Sequence, residues 1–475
     1  MTRGASLLPL LVKELRALLP LWAGTLAALA VAFAWRYRSI SDLGVIGYVG
    51  GVAALGAHAI GHEYGYRTLP ILLAQPAPRL RLFAAKYMVL TGMLVTIAAV
   101  AAFVFTTDAF RGNDAPITII LPLLAALFTT PLFTMMCRST LAGVVLGVSG
   151  PMTIWVLTMV IAWWGFGIDG DTVTTWFRQR WVLLAAIACP VFATLTWRAF
   201  TRMEAIDGLP ATLTLPRWLS ARPGMRRRAP WRALIAKEIH LQQMTIVITL
   251  FYGVIWLMGV GLRDTVPASV VLPLEAVLLL YCLGLALVIG AVASAEERQQ
   301  GTLEAQLLQP VGALAQWMIK CIVVLSLAIL LGVVLPAVLI AGFSREPSLG
   351  LSKYLVLLVI LLTSSALYIS SLVGSGVKAM TWSLPVAIGV AMFIQTTRTA
   401  IASASMRLGQ PLPTDHTEAT TVAIVLLPLL VMPPLLWFGF VNHTSAEHPL
   451  GRTAAQVGVL TVLVVAVIVA AGALV

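Results

Sequence analysis

The segment ERQQGTLEAQLLQP, residues Glu297–Pro310, interrupts a long apolar run, and a related segment occurs earlier in the chain. The earlier copy reads EYGYRTLPILLAQP and spans Glu63–Pro76. The copies are 234 positions apart, and the lysine that follows each of them, Lys86 or Lys320, keeps the same spacing. An internal repeat of this kind indicates a duplicated unit, and we expect each copy to carry one exposed polar segment.

A shorter match precedes each copy of the repeated segment. Lys13 and Glu14 correspond to Lys237 and Glu238, and apolar residues recur at helical spacing around both pairs. The pattern predicts an amphipathic helix in the membrane interface ahead of the first span of each half. The alternative is that each pair belongs to the polar start of a spanning helix.

The composition is that of a membrane protein. Of the 475 residues, 60% are hydrophobic and 11% are charged, whereas a soluble domain has about 25% charged residues. Lipid cannot hydrogen-bond the backbone, so the spans are predicted to be helices. Cys137, Cys189, Cys282 and Cys321 lie in or beside apolar stretches without metal-ligand spacing. They are interpreted as packing residues, with no disulfide framework and no metal site.

Apolar stretches of about 20 residues predict the individual spans. The predicted fold class is an all-α polytopic membrane protein with two tandem six-helix repeats and an extra C-terminal transmembrane helix. The spans of the first half are 20–36, 43–60, 84–106, 116–136, 141–166 and 181–199; those of the second are 245–261, 271–294, 318–343, 352–373, 379–397 and 419–441; the thirteenth is 454–475. The domains are a first half (1–200), a basic linker (201–230), a second half (231–441) and a last loop and span (442–475).

The net charge of +12 indicates orientation. Cytoplasmic loops of membrane proteins carry an excess of lysine and arginine, and this rule predicts a cytoplasmic N-terminus. Both repeated segments and the linker then face the cytoplasm, beside anionic lipid headgroups. The run Arg226–Arg228 lacks the aromatic residues or the fold of a nucleic-acid site, so no nucleic-acid partner is predicted.

Each repeated segment is predicted to form a two-turn helix that begins after a threonine and ends at Gln-Pro. Thr68 and Thr302 are predicted N-caps whose hydroxyl groups accept an amide of the first turn, and proline ends the helix. Leucines are predicted to form an apolar ridge on each helix: Leu69, Leu72 and Leu73 in the first copy, and Leu303, Leu307 and Leu308 in the second. Duplication of the polar residues favours a docking site for a cytoplasmic partner; the alternative is an interfacial helix that completes the bundle.

At these residues the chain resembles the permease subunits of ABC-2 type transporters, whose coupling helix has an E-x-x-x-G-T-L-E-x-L-L-x-x-P character. The resemblance covers both halves and implies two fused six-helix permeases in a bacterial plasma membrane. It implies coupling-helix roles for Glu63, Arg67, Thr68, Leu69, Leu72, Leu73, Gln75 and Pro76, and for Glu297, Gly301, Thr302, Leu303, Glu304, Leu307, Leu308, Gln309 and Pro310. The first copy departs at Arg67 and Pro70, where the pattern has glycine and glutamate, so the two docking sites are expected to be unequal.

No phosphate-binding loop of the G-x-x-x-x-G-K-[ST] type and no catalytic pair occurs in the sequence. The chain is therefore predicted not to be an enzyme and to hold no cofactor. The resemblance implies that ATP and Mg²⁺ bind a separate ABC ATP-binding subunit, in two copies. Few ionisable residues are predicted within the spans, which disfavours an ion-coupled carrier.

The predicted function is export of an amphiphilic or hydrophobic cargo, such as a drug, an antibiotic, a lipid or a peptide. Aromatic and methionine side chains are the candidates for the cargo path: Tyr48, Met152, Trp155, Met159, Trp382, Met392 and Phe393. Helix packing or lipid contact is the alternative interpretation of these residues. An ion-coupled secondary carrier and a non-transporting scaffold or sensor remain open as functions.

Overall fold

The computed structural model describes residues 7–34, 41–66, 68–75, 77–105, 115–148, 170–203, 230–261, 268–308, 310–343, 353–390, 417–445 and 449–473. Every regular element in these ranges is helical, as predicted for an all-α membrane protein. The chain forms two compact units. The first comprises Met1–Arg226 and Leu257–Val271, and the second comprises Arg227–Trp256 and Leu272–Val475.

The first unit begins with two long helices, a short one and a third long one. A π-helical turn, Ala125–Thr129, joins α5 to α6. The helices are α1 (Leu7–Ala34), α2 (Ser41–Gly65), α3 (Leu69–Leu73), α4 (Arg79–Phe105), α5 (Ala115–Leu124), α6 (Thr130–Cys137), α7 (140–148) and α8 (Gly170–Thr201).

The second unit follows the same order of a long helix, a short helix and a long helix around its own repeated segment. A second π-helical turn, Leu330–Val334, joins α13 to α14. The helices from α9 onward are α9 (Pro230–Leu241), α10 (Gln243–Gly261), α11 (Ala268–Gln300), α12 (Leu303–Leu307), α13 (Ala313–Ile329), α14 (Leu335–Phe343), α15 (Lys353–Leu372), α16 (376–390), α17 (Thr417–His443) and α18 (Leu450–Ala473).

Seven helical stretches among the described residues are long and apolar enough to cross a membrane. They are Leu8–Val31, Arg79–Phe105, Ile119–Cys137, Gln179–Thr201, Ala313–Ile340, Leu355–Leu372 and Val425–His443. Two shorter apolar helices, Gln243–Val254 and Gly451–Val467, overlap the predicted spans 245–261 and 454–475. The chain is thus a membrane protein, while the count of twelve or thirteen spans and the six-helix repeats stay predictions.

The predicted spans 43–60 and 271–294 lie in α2 and α11, which are closely packed inside their units. A β-carbon on Gly56 of α2 would lie 2.1 Å from the carbonyl oxygen of Ala126. A β-carbon on Gly290 of α11, the equivalent position, would lie 2.4 Å from the carbonyl oxygen of Thr363. Real β-carbons do not approach so closely, so glycine at both positions allows the neighbouring backbone to touch the helix.

The helices that carry the two Lys-Glu pairs differ between the units. Helix α1 continues without a break from Leu7 to Ala34, so Lys13 and Glu14 lie in the first turns of a long helix. The prediction of a separate amphipathic helix is therefore wrong for the first unit. In the second unit α9 ends at Leu241 and α10 begins at Gln243. Gln242 between them is a turn residue whose side chain donates a hydrogen bond to the Ile289 carbonyl (3.0 Å).

The last helix, α18, packs inside the second unit. Val467 is fully buried in an apolar cluster with Leu361 of α15 and Leu427 of α17. A buried polar contact adds to this packing, since the Tyr368 hydroxyl donates to the Gln456 side-chain oxygen (3.1 Å). The C-terminal stretch is therefore an integral helix of this unit.

Candidate functional site

The E-x-x-x-G-T spacing of the second copy forms the C-terminal cap of α11. The Thr302 N–H donates to the Glu297 carbonyl (3.0 Å), and the Gly301 N–H donates to the Arg298 carbonyl (3.1 Å). Gly301 has φ of +67°, the left-handed conformation that glycine adopts at least cost. These two bonds and this conformation make a Schellman motif, which ends the helix and satisfies its free carbonyls.

The first copy ends α2 with the same long bond, from the Thr68 N–H to the Glu63 carbonyl (3.0 Å). Thr68 and Thr302 directly precede α3 and α12, as predicted, but the Thr68 hydroxyl accepts no amide of α3. The Thr68 hydroxyl donates to the Glu63 carboxylate, and the Thr302 hydroxyl donates to the Glu297 carbonyl (3.3 Å). The capping prediction is therefore wrong for Thr68, because its hydroxyl binds the Glu63 carboxylate instead. For Thr302 it stays a prediction.

The glutamate of the first copy lies in a buried group of charges, here named the first ion cluster: Lys13, Glu14, Glu63 and Lys86. The Lys86 ammonium contacts both carboxylate oxygens of Glu14 (2.9 Å each) and Oε1 of Glu63 (3.1 Å). It also donates to the Ala59 carbonyl (3.2 Å). Lys13 contacts Oε1 of Glu63 (2.8 Å). The cluster joins α1, α2 and α4 at the end where the short helix α3 begins.

The second ion cluster, Lys237, Glu238, Glu297 and Lys320, repeats these contacts one for one. The Lys320 ammonium contacts both oxygens of Glu238 (3.1 and 3.0 Å) and Oε1 of Glu297 (2.8 Å). It donates to the Ala293 carbonyl (2.6 Å), the counterpart of Ala59. Lys237 contacts Oε1 of Glu297 (2.5 Å). Four charges in the same arrangement thus join α9, α11 and α13.

Burial and pairing act differently on the carboxyl groups of the two clusters. Burial would raise the pKa of Glu63, but the hydrogen bond with His62 and the charge of Lys86 outweigh it and hold that pKa well below its usual range. Burial of Glu297 is likewise outweighed by Lys320 and Lys237, and its pKa is lowered. In Glu238 burial prevails over the attraction of Lys320, and the nearby Glu297 charge adds to it, so its pKa rises to about 7.

His62 is an additional group of the first cluster. Its Nδ1 lies 2.8 Å from the His58 carbonyl, and its Nε2 lies 3.1 Å from Oε1 of Glu63 and 3.7 Å from Oε2 of Glu14. Glu14, His62 and Glu63 are close enough together to hold a metal ion. Lys86 and Lys13 already balance the two carboxylates, however, and a divalent cation would add charge beside two ammonium groups. The expectation of no metal site therefore stays a prediction.

The leucine ridge predicted on the first short helix packs inside the protein. Leu69 and Leu72 are buried in an apolar cluster that includes Leu82 and Phe200, and Leu73 packs against it. Ile71 is instead the exposed apolar residue of this helix, at 66%. The predicted ridge is wrong for α3, because the fold brings α4 and α8 against the face that carries these leucines.

The second short helix has a mixed surface. Leu303 is buried, Leu307 is half-buried and Leu308 is 86% exposed. The Gln316 amide donates to the Gln306 carbonyl (3.0 Å) and the Val311 carbonyl (2.7 Å), which fastens α12 to α13. Only the end of the predicted leucine ridge is therefore accessible in this copy.

Several predicted site residues have other positions or lie outside the described residues. Tyr48 is fully buried and its hydroxyl donates to the Ile119 carbonyl (2.7 Å), so this residue packs the core and the cargo-path prediction is wrong for it. Trp382 is exposed, Gln75 is half-buried and Pro310 is exposed. Outside the described residues lie Arg67, Pro76, Gln309, Met152, Trp155, Met159, Met392 and Phe393, and the Glu304 side chain.

The buried charges are the main feature that the sequence interpretation missed. The repeated segments were expected to be exposed and buried ionisable groups to be few, whereas Glu63, Glu297, Lys86 and Lys320 are buried. The sequence spacing could have indicated this arrangement. The number of residues between Glu63 and Lys86 is the same as that between Glu297 and Lys320. An unpaired buried charge is strongly unfavourable, so two such lysines imply nearby carboxylates.

Comparisons with protein-family models, with curated proteins and with solved structures find no match to this chain.

Proposed function

We propose that this chain is the membrane permease subunit of an ATP-driven exporter of the ABC-2 type. The observation that carries the proposal is the repeated ion cluster beneath each short helix, with the same four charges in both units. The resemblance of the repeated segments to coupling helices supports the same function. A separate ATP-binding subunit, in two copies, binds ATP and Mg²⁺ in this proposal.

The ion clusters suit the transmission of force from a short helix to the membrane helices. Glu63 is bound through its backbone to Thr68, ahead of α3, and through its side chain to Lys13 and Lys86 on α1 and α4. A displacement of α3 therefore acts on three helices at once. Charge-assisted hydrogen bonds are roughly twice as strong as neutral ones, so each unit is expected to move as one piece.

Exposed leucines next to the short helices provide a surface for the partner subunit. Leu80 and Leu314 occupy equivalent positions after the two repeated segments, and both are exposed, at 64% and 54%. Leu308 and Ile71 extend the apolar surface in the two units. The surface differs between the copies, which supports unequal docking of the two ATP-binding subunits.

The remaining parts of the proposal follow from the resemblance and from the charge distribution. The two units are six-helix permease repeats, α18 is an added thirteenth helix, and the N-terminus lies in the cytoplasm of a bacterial cell, with the protein in the plasma membrane. The cargo is amphiphilic or hydrophobic. Export, rather than import, follows from the ABC-2 resemblance.

An ion-coupled carrier is the second candidate, because buried carboxylates are the groups that such a carrier needs. Glu238 is the specific residue that favours it, since burial raises the pKa of its carboxyl group to about 7. Each carboxylate nevertheless contacts a lysine in its cluster, which is the arrangement of a structural tie. We therefore rank the carrier second.

Transport by inverted membrane vesicles tests the proposal. Vesicles from cells that carry this chain and its neighbouring genes should accumulate a hydrophobic fluorescent dye in an ATP-dependent, vanadate-sensitive manner. Dissipation of the proton gradient should leave the transport intact. Transport that stops with an uncoupler and ignores vanadate would support the carrier instead. Partner binding without transport would support the scaffold or sensor.

Variants at the exposed leucines test the docking surface. Leu80→Glu and Leu314→Glu should reduce ATP-dependent transport at least several-fold while the chain still folds, since both side chains are exposed. Leu80→Met and Leu314→Met are the matched controls and should retain transport. Normal transport by the double glutamate variant would contradict docking at this surface.

A further inference from the structure

Lys13 is the one accessible residue of the first ion cluster. Its side chain is 41% exposed, whereas the side chains of Glu14, Glu63 and Lys86 are at most 4% exposed. Any ligand that reaches the cluster from the protein surface therefore meets Lys13 first.

A shallow groove of about 460 Å³ lies on the outer side of α1 at this point. Its lining combines two cations, Lys13 and Arg16, with the apolar side chains Leu8, Pro9 and Val12. The helix here begins the membrane-crossing stretch Leu8–Val31, so the groove lies at the depth of lipid headgroups. Two positive charges beside an apolar wall are complementary to an anionic amphiphile.

Lys13 has hydrogen-bonding capacity available for such a ligand. An ammonium group has three donors, and among the described residues Lys13 donates to Glu63 (2.8 Å). The equivalent Lys237 binds both Glu297 and the Gln306 side chain. The first unit has Leu72 in place of Gln306, so no side-chain amide occupies the corresponding donor of Lys13.

We propose that this groove binds an anionic phospholipid, with its phosphate between Lys13 and Arg16 and an acyl chain that runs into the membrane along the exposed Leu15 and Leu19. Lys13 then contacts the lipid phosphate and Glu63 together, so lipid occupancy acts directly on the first ion cluster. In the second cluster Gln306 takes up one further donor of the equivalent Lys237. The inference goes beyond the proposed transport function and does not depend on it.

Lipid titration of the purified full chain in detergent micelles tests the proposal. Phosphatidylglycerol should bind more tightly than phosphatidylcholine, as measured by native mass spectrometry of the lipid-bound fraction. Arg16→Gln, which leaves all ion-cluster contacts intact, should weaken phosphatidylglycerol binding about fivefold, the effect of one cation near an anionic lipid. Lys13→Gln should weaken it at least as much. Lys237→Gln is the matched control and should leave binding unchanged.

Inorganic phosphate distinguishes a lipid from a soluble anion. Millimolar phosphate should fail to displace phosphatidylglycerol, because it makes no contact with the apolar wall. Complete displacement by phosphate would show a soluble-anion site and overturn the lipid assignment. Equal binding of the two lipids, or an Arg16→Gln variant that binds like the wild type, would overturn the site itself.

Discussion

The two ion clusters share four charges and differ in the groups around them. His62 stands beside the carboxylates of the first cluster, and Glu296 has the equivalent position in the second. In the first cluster Nε2 of His62 lies 3.1 Å from Oε1 of Glu63, whereas in the second Arg298 and His443 are the further titratable groups that interact with Glu297. Burial and the nearby Glu297 charge raise the pKa of Glu238 in the second cluster. The comparison indicates that the four charges are the common requirement and that their surroundings set how firmly each cluster holds together.

A second difference concerns how each short helix is attached. Leu72 and Leu82 pack together in the apolar cluster of the first unit. Gln306 and Gln316 have the equivalent positions in the second unit, where hydrogen bonds replace the apolar contact. The Gln316 amide bonds to the main-chain carbonyls of Gln306 and Val311, so the attachment of α12 depends on the side chain at position 316. The Gln306 side chain binds Lys237 instead.

The largest expected effect comes from removal of the central lysine. Lys86→Met and Lys320→Met each leave two buried carboxylates without their shared partner, and each should lower the free energy of unfolding by about 3–5 kcal/mol. Lys320→Met should be the more damaging, because the first cluster retains His62. Denaturant unfolding in micelles, followed by tryptophan fluorescence, measures both.

Lys13→Met is the control for this pair, and its half-exposed side chain predicts a smaller loss. A milder effect of Lys320→Met than of Lys86→Met would remove the distinction that we draw between the clusters.

The next largest loss of stability is expected from substitutions at the equivalent positions Leu82 and Gln316, which attach the short helices. Gln316→Leu removes the donor to two carbonyl groups, and each buried acceptor left without a partner costs about 1–3 kcal/mol. Leu82→Gln places an amide in the apolar cluster, at a cost of about 1–3 kcal/mol. Thermal unfolding should show both losses. Leu82→Met, which conserves the side-chain volume, is the control. If Gln316→Leu and Leu82→Gln were both as stable as the wild type, leucine and glutamine would be interchangeable at these positions.

Loss of the threonine hydroxyl should lower the stability of the two copies by different amounts. Thr68→Val removes a hydrogen bond to a charged carboxylate, worth about 1.5–3 kcal/mol, whereas Thr302→Val removes one to a neutral carbonyl, worth about 0.5–1.5 kcal/mol. The Glu297 carbonyl also keeps the Thr302 N–H as a donor. Unfolding free energies of the two variants check the order, and the reverse order would contradict it.

The remaining expected effect is a dependence of stability on pH through Glu238. A raised carboxyl pKa gives stability that is present below the unfolded value of 4.5 and is lost as pH rises through about 7. The lowered pKa values of Glu63 and Glu297 act the other way, but below pH 4.5.

Between pH 5 and 7, Glu238→Gln should therefore flatten a decline of about 2 kcal/mol in the unfolding free energy, since one pKa unit is worth about 1.4 kcal/mol. Glu14→Gln is the matched control in the first unit. An unchanged pH profile in Glu238→Gln would mean that Glu238 is not the group that titrates.

Prediction from the sequence succeeded where a pattern depends on local chemistry. The helical class and the short helix after each threonine follow from apolar length and from the repeated segments. Each short helix has five residues, fewer than the two turns predicted, and ends before the Gln-Pro pair. Prediction was wrong where neighbours decide the outcome. Leu69 and Leu72 face the core because α4 and α8 cover them, and the Thr68 hydroxyl binds the glutamate that the end of α2 brings close.

The amino-acid sequence by itself determined that this is a helical membrane protein with two related polar segments, because the backbone in lipid must satisfy its own hydrogen bonds. The equivalence of Lys13, Glu14, Glu63 and Lys86 to their counterparts is also present in the sequence. Only the tertiary structure decided that these charges are buried together, since burial depends on which helices meet. A lysine and a glutamate that are distant in sequence form a buried ion pair only when helix packing brings both side chains together away from water.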